Sequence, residues 1–383
     1  MLQTRERLET LEADALAPYA LRSRDSRGRA FPEAEASYRT AFQRDRDRIL
    51  HTTAFRRLEY KTQVFVTSEG DYYRTRLTHT LEVAQIGRSI ARALAANEDL
   101  IEAICLAHDL GHPPFGHAGE SALAGVMKPY GGFDHNKQSL RIITELEQRY
   151  PGFPGLNLTW ELREGIVKHE TEYDVSDAAE YDPEKRGHLE AQIANVADEL
   201  AYTAHDLDDG LRSGLVLPAQ LAELELWKQL QSSSGWSGGS LDDMTRHRMI
   251  RDLIGLEVTD VIRTTDAALG AAGVDSVDAL QRLPHNVIDF SSDLAQANRA
   301  LKAFLFHHLY QHFQVVRMQV KAERIVEDLF RAYRQTPEIL PGEVQARSRK
   351  HGLERTACDY IAGMTDRYAM QEHGKLFDPQ ILP

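Results

Sequence analysis

The sequence predicts an all-α protein, and two observations lead to that prediction. Apolar residues recur at helical spacing, as Leu77, Leu81 and Ala84 do, whereas the alternation typical of strands is scarce. Proline and glycine interrupt the periodic segments where helices should end, as at Pro113 and Pro114. The periodic segments predict helices over 140–146, 189–207, 221–230, 250–269, 301–334 and 357–369. A run of serine and glycine, 232–240, predicts a surface loop within a mostly continuous helical body.

Composition narrows the functional classes. The 383 residues carry 45 Lys and Arg against 58 Asp and Glu, a formal charge of −13. This balance disfavours general coating of nucleic acid, which needs a net basic surface, although a local basic pocket for single-stranded DNA stays open. Two cysteines, Cys105 and Cys358, are too few for a disulfide framework. No apolar run approaches the ~18 residues of a membrane span, and the N-terminal segment lacks the apolar core of a signal peptide. We therefore expect a cytoplasmic protein.

Histidines are clustered, with eight of the 16 lying between His79 and His205. The adjacent pair His108 and Asp109 ends an apolar segment and is followed by the turn sequence LGHPPFGHAG. A neutral imidazole and a carboxylate together suit a divalent cation of intermediate softness. Two ligands do not close a site, but packing of the flanking helices could bring His79 and Asp198 to the same ion. The simpler alternative is that each histidine is a hydrogen-bonded core residue and that the dipeptide arose by chance.

Helix geometry places further polar residues beside Asp198. At ~100° per residue, Tyr202 and Asp206 lie only about 40° and 80° round the axis from it, so the three form one polar row. A solvated helix face would also explain these acids. Arg76 precedes His79 by one turn, a useful position for a cation only if an anion binds between the two.

Two other groups have both a chemical and a structural interpretation. His117 and Glu120 are three residues apart, so on a helix the carboxylate can orient the imidazole for general acid or base catalysis. Glu120 is equally explained as an acid that favours a helix N-terminus. Arg56 and Gln63, in the basic segment before the histidines, offer a guanidinium for phosphate and an amide for a hydroxyl or a base edge. Surface solvation is the alternative for each.

Together these residues resemble the deoxyguanosine triphosphate triphosphohydrolase-like family of the HD (His-Asp) phosphohydrolase superfamily. The segment 107–117, AHDLGHPPFGH, carries the strongest resemblance. Other matching segments follow in order along the chain: 44–51, 55–58, 61–64, 74–79, 133–140, 197–202 and 359–367.

The resemblance implies an HD-domain helical core with additional helices, and a role for each matching residue. It implies that the metal ligands are His79, His108, Asp109 and Asp198, that His117 and Glu120 are catalytic, and that His112 and His135 lie near the α-phosphate. It also implies that Gln63, Tyr202 and Asp206 hold the deoxyribose and that Arg76 contacts phosphate. The implied cofactor is Mn²⁺ or Mg²⁺, and the implied partners are deoxynucleoside triphosphates, as substrate and as activator, and further copies of the chain in a hexamer or tetramer.

The implied reaction is water attack at the α-phosphorus, which releases deoxynucleoside and inorganic triphosphate. We expect an N-terminal helical region with the basic segment over 1–60, the metal-dependent core over 61–215 and a helical C-terminal region over 216–383. Two other functions stay open: hydrolysis of a monophosphate, a cyclic nucleotide or guanosine tetraphosphate, and non-catalytic nucleotide sensing. The segment 359–367 either contacts another subunit or packs as a helix within its own chain.

Overall fold

The computed structural model describes residues 2–63, 74–169 and 181–382. Within these ranges the chain forms 17 α-helices and no extended strand, which confirms the all-α prediction. Backbone pairing of the strand type is limited there to isolated bridges, such as the one between Arg29 and Thr159. Val64, the last residue of the matching segment 61–64, lies outside the described residues. No described helix is both long and apolar enough to cross a membrane.

The chain groups into two compact units. The first contains Met1–Leu50, His79–Ala107 and Asn157–His312. Its helices are α1 (Arg5–Ala15), α2 (Ala41–Leu50), α4 (Arg76–Ala93, from His79 onward), α5 (Glu98–Ala107), α8 (Trp160–Val167), α9 (Leu189–Ser213), α10 (Glu225–Ser234), α11 (Asp243–Ala272), α12 (Val277–Gln281) and α13 (Ser292–Leu305).

The second unit contains His51–Thr78, His108–Leu156 and Phe313–Pro383. Its helices are α3 (Thr53–Arg57), α6 (Gly116–Met127), α7 (His135–Arg141), α14 (Phe313–Gln335), α15 (Gly342–His351), α16 (Leu353–Ala362) and α17 (Asp366–Phe377). Side chains of α6, α14 and α16, among them Leu123, Leu329 and Ile361, form its apolar core.

Helix α5 lies at the centre of the first unit, because seven of its ten residues are apolar and buried. Leu100, Ile101 and Ile104 have no exposed surface, and each such side chain stabilises the fold by about 2 kcal/mol. Helix α8 approaches α5 closely at Gly165, where an added Cβ would lie 2.6 Å from the Cδ1 atom of Ile104. Helix α9 also packs on α5, so the polar residues of α9 are held by an apolar support.

Several sequence-based boundaries were wrong, and three of them have a clear structural cause. The helix predicted over 301–334 ends at Leu305, passes through a π-helical turn at Phe306–Tyr310 and restarts at Phe313. The helix predicted over 357–369 stops at Ala362, because Arg57 takes the carbonyl of Gly363 (2.9 Å) and the Thr365 side chain caps α17. The loop predicted over 232–240 begins only after Ser234, since Gly235 ends α10 with a φ of +71°.

One acid lies wholly inside the first unit. Glu257 of α11 has no exposed surface and lies beside Asn298 of α13. Loss of hydration raises the pKa of Glu257 to about 8, against the smaller lowering effects of Asn298 and Lys302. Because this pKa is higher in the folded than in the unfolded chain, folding stability falls as pH rises from about 4.5 towards 8.

We therefore expect Glu257→Gln to remove this fall in folding stability with rising pH. The free energy of unfolding of the variant should be close to that of the parent near pH 4.5. At pH 7 it should be higher than that of the parent by ~3 kcal/mol, because one pKa unit corresponds to about 1.36 kcal/mol. Thermal unfolding across this pH range measures the difference. Glu223→Gln, at an exposed position, is the matched control and should leave the pH dependence unchanged. A Glu257→Gln protein with the same pH dependence as the parent would contradict the assignment.

Candidate active site

In the first unit, two imidazoles flank one carboxylate. The His79 Nε2 atom lies 2.9 Å from Asp198 Oδ1, and His169 Nε2 lies 3.4 Å from Asp198 Oδ2. Both histidines are about 1% exposed. Asp198 lies midway along α9, which begins at the capping residue His188 and is supported by the apolar α5. The structure therefore brings His79 and Asp198 together, and His169 is an addition that spacing did not indicate.

A second imidazole orients His79 from its other side. His205 Nδ1 lies 3.2 Å from His79 Nδ1, and His205 Nε2 forms an ion pair with Glu82. This chain of contacts fixes the His79 ring with its Nε2 atom towards Asp198. Contacts of this kind commonly orient a metal-binding histidine and set its tautomer.

The polar row of α9 ends in a cluster of hydroxyl groups. The Tyr310 hydroxyl bonds both the Tyr202 hydroxyl and the Asp206 carboxylate, which shows that Tyr202 and Asp206 share a helix face, as the helix geometry predicts. The two tyrosine rings are stacked with centroids 6.4 Å apart. Burial raises the pKa of Tyr310 well above its usual value, and the negative charge of Asp206 adds to that effect.

In the second unit, the His-Asp pair forms a short 3₁₀ turn, His108–Gly111, that α7 holds in place. Ser139 donates to the His108 carbonyl (2.6 Å) and accepts from the Gly111 amide (2.8 Å). A Cβ at Gly111 would lie 2.2 Å from the Ser139 nitrogen, so only glycine fits there.

Arg76 is a buried cation paired on one side only. Its Nη1 atom donates to Asp109 Oδ2 at 2.8 Å, while its buried Nε and Nη2 atoms donate to no described residue. Gln63 is also buried, and its Oε1 atom accepts no hydrogen bond from the described residues. Buried polar atoms without partners cost ~1–3 kcal/mol each, so they are typical of places that a ligand completes. Arg56, in contrast, is exposed and bonds Thr53 of its own helix (3.3 Å).

Three imidazoles surround the carboxylate of Glu120. Its Oε1 atom accepts from the His135 amide (2.9 Å) and lies 2.8 Å from His135 Nδ1. Its Oε2 atom lies 3.5 Å from His117 Nδ1 and 3.8 Å from His112 Nε2. Glu120 therefore forms specific contacts, and the alternative of an acid that only favours the helix N-terminus does not account for them.

Burial acts on these groups in different ways. Burial opposes ionisation of Glu120, but the charges and hydrogen bonds of His135 and His117 outweigh it and hold the pKa of Glu120 well below its usual range. Burial, with Arg76 nearby, holds the pKa of His112 well below that of free histidine, so His112 is neutral. His117 has 47% of its side chain exposed, so its ring can reach a ligand.

A network of buried polar contacts fixes the start of α6, which carries His117 and Glu120. Phe115 precedes the helix with a left-handed φ of +67°, a conformation that a non-glycine residue adopts only when its surroundings impose it. The Asp366 carboxylate accepts from the Phe115 amide (2.9 Å) on one oxygen, and from the amide (2.9 Å) and hydroxyl of Thr62 on the other.

Lys61 extends this network. Its buried ammonium group donates to the carbonyls of His112 and Ala362 (2.9 Å for the latter). Burial and the neighbouring Arg57 lower the pKa of Lys61 to about 7. The segment 359–367 therefore packs within its own unit, since Asp366 is fully buried and Asp359 pairs with Arg141 (2.7 Å).

The donor atoms in each unit fit a divalent ion. His79 with Asp198 in the first unit, and His108 with Asp109 in the second, each combine an imidazole with a carboxylate, the set that suits Mn²⁺ and similar ions. His112, His117 and Glu120 also place their ligand atoms within 4.8 Å of one another and could hold an ion. The metal assignment of His79, His108, Asp109 and Asp198 stays a prediction.

Comparison with known proteins identifies the family. The HD domain matches residues 76–203, and the phosphohydrolase-associated domain matches residues 288–375. Over 377 residues the chain is 52% identical to the deoxyguanosinetriphosphate triphosphohydrolase-like protein of Geobacter sulfurreducens, with 98% of each chain covered. The chain belongs to the deoxyguanosinetriphosphate triphosphohydrolase-like family. The proteins of the same description from Geobacter metallireducens and Deinococcus deserti are 51% and 49% identical, with at least 96% of each chain covered.

Membership of this family confirms the resemblance drawn from the sequence and makes the chain a phosphohydrolase of the HD type. Four residues of the described structure join the expected ones through contacts: His169, His205, Tyr310 and Asp366. Of these, Asp366 could have been found from the sequence, because it lies in the matching segment 359–367. The sequence carries no signal for Tyr310, because 104 positions separate it from Asp206 and only folding brings the two together.

Asp366→Asn tests the contacts that hold the start of α6. An amide puts an N–H group against the N–H of Phe115 or of Thr62, so one hydrogen bond is lost and stability should fall by ~1–3 kcal/mol. We also expect faster amide hydrogen exchange over 115–120. Asp378→Asn, at an exposed position near the end of α17, is the control. Unchanged exchange over 115–120 in Asp366→Asn would contradict the proposed role of these contacts.

Proposed function

We propose that the chain hydrolyses deoxynucleoside triphosphates to deoxynucleoside and inorganic triphosphate by water attack at the α-phosphorus. The observation that carries this proposal is the turn after the His-Asp pair, where a half-exposed His117 lies against an ionised Glu120. Relatives of half-identical sequence are described as deoxyguanosinetriphosphate triphosphohydrolase-like, which supports the choice of substrate.

We propose His79, His108, Asp109 and Asp198 as the ligands of one Mn²⁺ or Mg²⁺ ion. The bound ion would neutralise phosphate charge and lower the pKa of coordinated water. The contact of His205 with His79, and the contact of Arg76 with Asp109, would orient two of the four ligands. The core that carries these ligands is proposed to span 61–215, between a substrate-binding N-terminal region over 1–60 and a helical C-terminal region over 216–383.

His117 is the proposed general acid. The leaving 5′-oxygen of the nucleoside is too basic to depart without a proton, and an imidazole at the surface can supply one. Glu120 would accept from Nδ1 of the protonated His117 ring, so that the Nε2 proton is the one given to the leaving 5′-oxygen. His112 and His135 pack against the same carboxylate, and the neutral His112 adds no charge of its own.

The remaining residues hold the substrate. The Nε and Nη2 atoms of Arg76, which donate to no described residue, would bind phosphate oxygens, with the exposed Arg56 as a further cation. Gln63 offers a buried carbonyl oxygen to a hydroxyl group, and the cluster of Tyr202, Tyr310 and Asp206 forms a rigid wall for the sugar. Such a wall would exclude a ribose, because it leaves no room for the 2′-hydroxyl.

Product analysis tests the reaction. We expect each active deoxynucleoside triphosphate to yield triphosphate and deoxynucleoside under Mn²⁺ or Mg²⁺, with no turnover after complete metal removal and recovery when the ion is restored. Asp109→Ala should lower kcat at least ~100-fold, and Asp289→Ala, at an exposed position, is the control. Hydrolysis of a monophosphate, a cyclic nucleotide or guanosine tetraphosphate instead would favour another HD substrate, and binding without turnover would favour a nucleotide sensor.

Replacement of Tyr202 tests the sugar pocket. Tyr202→Ala should reduce the preference for dATP over ATP by about 10-fold or more, since removal of the ring opens the room that the 2′-hydroxyl needs. The ratio of kcat/KM for the two nucleotides measures this. Tyr38→Ala, at a tyrosine 61% exposed, should keep the parent ratio. A Tyr202→Ala protein that discriminates as well as the parent would exclude this pocket.

We also propose a homo-oligomer, a hexamer or tetramer, with deoxynucleoside triphosphates as activators and local single-stranded DNA binding. Phe313, Val316 and Val320 support the assembly, because they form an exposed apolar stripe at i, i+3 and i+7 on α14. Light scattering on the purified chain measures the mass, and a monomer at all concentrations would contradict this. Cys105 and Cys358 are buried and in no disulfide with each other, which is consistent with the proposed cytoplasmic location.

A further inference from the structure

Three side chains near the start of α6 place their donor atoms at the spacing of a bound metal ion. The Oε2 atom of Glu120 lies 3.5 Å from His117 Nδ1 and 3.8 Å from His112 Nε2. Each of the three residues offers one ligand atom, and these atoms all lie within 4.8 Å of one another. None of the three belongs to the four proposed ligands of the hydrolytic ion, so they form a second set of ligands.

The distances from Glu120 Oε2 are long for hydrogen bonds, which span about 2.7–3.2 Å between nitrogen and oxygen. The other oxygen of the same carboxylate does reach that range, since Oε1 lies 2.8 Å from His135 Nδ1. Zn²⁺ holds nitrogen and carboxylate oxygen at about 2.0–2.2 Å in a tetrahedron, which separates neighbouring ligand atoms by about 3.3–3.6 Å. The contacts of Oε2 therefore match a shared ion better than a direct hydrogen bond.

His112 contributes a buried nitrogen that lacks a hydrogen bond. The residue is 1% exposed, and its Nε2 atom forms no hydrogen bond with any described residue. A buried polar atom in this state lowers folding stability, so it is typical of a place that a ligand completes. Because this nitrogen lies beside the carboxylate of Glu120, the ligand that satisfies both groups is a cation.

The surroundings hold the three ligands in position. His117 and Glu120 lie three residues apart near the start of α6, and His112 lies in the turn before that helix. The carboxylate of Asp366 accepts from the Phe115 amide (2.9 Å), which fixes the segment between His112 and the helix. His117 has 47% of its side chain exposed, so an ion can enter from solvent. The site is therefore supported on its buried side and open on the other.

We propose that His112, His117 and Glu120 form an inhibitory binding site for Zn²⁺. Two imidazoles and one carboxylate are a three-ligand set that Zn²⁺ takes in proteins, with the fourth position left to water. Mg²⁺ suits the set less well, because it prefers six oxygen ligands. Among common divalent ions, Zn²⁺ also binds such ligands more tightly than Mn²⁺ does.

The inhibition rests on the proposed function, in which protonated His117 is the general acid. A Zn²⁺ ion on Nδ1 uses the electron pair that would otherwise hold a proton, so the His117 ring stays neutral. Glu120 then binds the ion instead of accepting from that ring. The leaving 5′-oxygen loses its proton donor, and hydrolysis slows.

Equilibrium dialysis of the full chain against Zn²⁺ alone tests the site without any turnover. One bound ion should be weakened at least ~10-fold in both His112→Gln and Glu120→Gln, because even changes behind metal ligands cost about 10–100-fold in affinity. Asp109→Ala should keep this ion, since Asp109 is not one of its ligands. His285→Gln, at an exposed histidine outside the set, is the matched control and should bind as the parent does. Equal binding by the parent, His112→Gln and Glu120→Gln would overturn the site.

Crystals of the parent chain soaked in Zn²⁺ keep the test valid if these variants fail to fold. Anomalous diffraction at the zinc edge should show a peak about 2.0–2.2 Å from the ligand atoms of His112, His117 and Glu120. Peaks confined to other residues would exclude the site.

Turnover under excess Mn²⁺ tests the inhibition separately. Zn²⁺ should lower kcat at least ~10-fold, and half-inhibition should occur at the concentration that half-fills the ion lost in His112→Gln. Full turnover with that ion bound would refute the inhibitory role. A chain that binds Zn²⁺ at these residues but hydrolyses no deoxynucleoside triphosphate under any metal would support the site and refute the proposed function.

Discussion

The contact of the Glu120 carboxylate with three imidazoles determines the chemistry of the second unit. This anion orients His135 at 2.8 Å and His117 at 3.5 Å, with His112 at 3.8 Å, and it stays ionised because the effects of His135 and His117 outweigh the cost of its burial. The position of Glu120 depends in turn on the left-handed Phe115 at the start of α6. That conformation is held by Asp366, which belongs to the phosphohydrolase-associated domain. The C-terminal part of the chain therefore takes part in building the turn that carries His117 and Glu120.

The second unit keeps buried polar atoms that no described residue satisfies. They include Nε and Nη2 of Arg76, Oε1 of Gln63 and Nε2 of His112. Each lowers folding stability by ~1–3 kcal/mol, a cost that a chain retains where a ligand completes the bonds. The apolar core of α6, α14 and α16 offsets that cost. Donors such as those of Arg76 suit phosphate, whereas the acceptor of Gln63 suits a hydroxyl, which agrees with a nucleotide as the ligand.

Sequence patterns predicted the fold class, and helix geometry predicted the row of Asp198, Tyr202 and Asp206, because both depend on local spacing. The contact of His79 with Asp198 followed from the expectation that the flanking helices pack together. Tyr310 could not be predicted, since its contact depends on the π-helical turn that interrupts the segment 301–334. The break after Ala362 was equally hidden, because side chains distant in sequence, Arg57 and Lys61, take the carbonyls released there.

Hydrolysis in ¹⁸O-labelled water tests the central claim most directly, because it shows which bond breaks. Attack at the α-phosphorus with departure of the 5′-oxygen should place one ¹⁸O atom in the released triphosphate and none in the deoxynucleoside. Mass spectrometry of the two products measures both. Label in the deoxynucleoside, or in pyrophosphate or phosphate released beside a shorter nucleotide, would contradict the account.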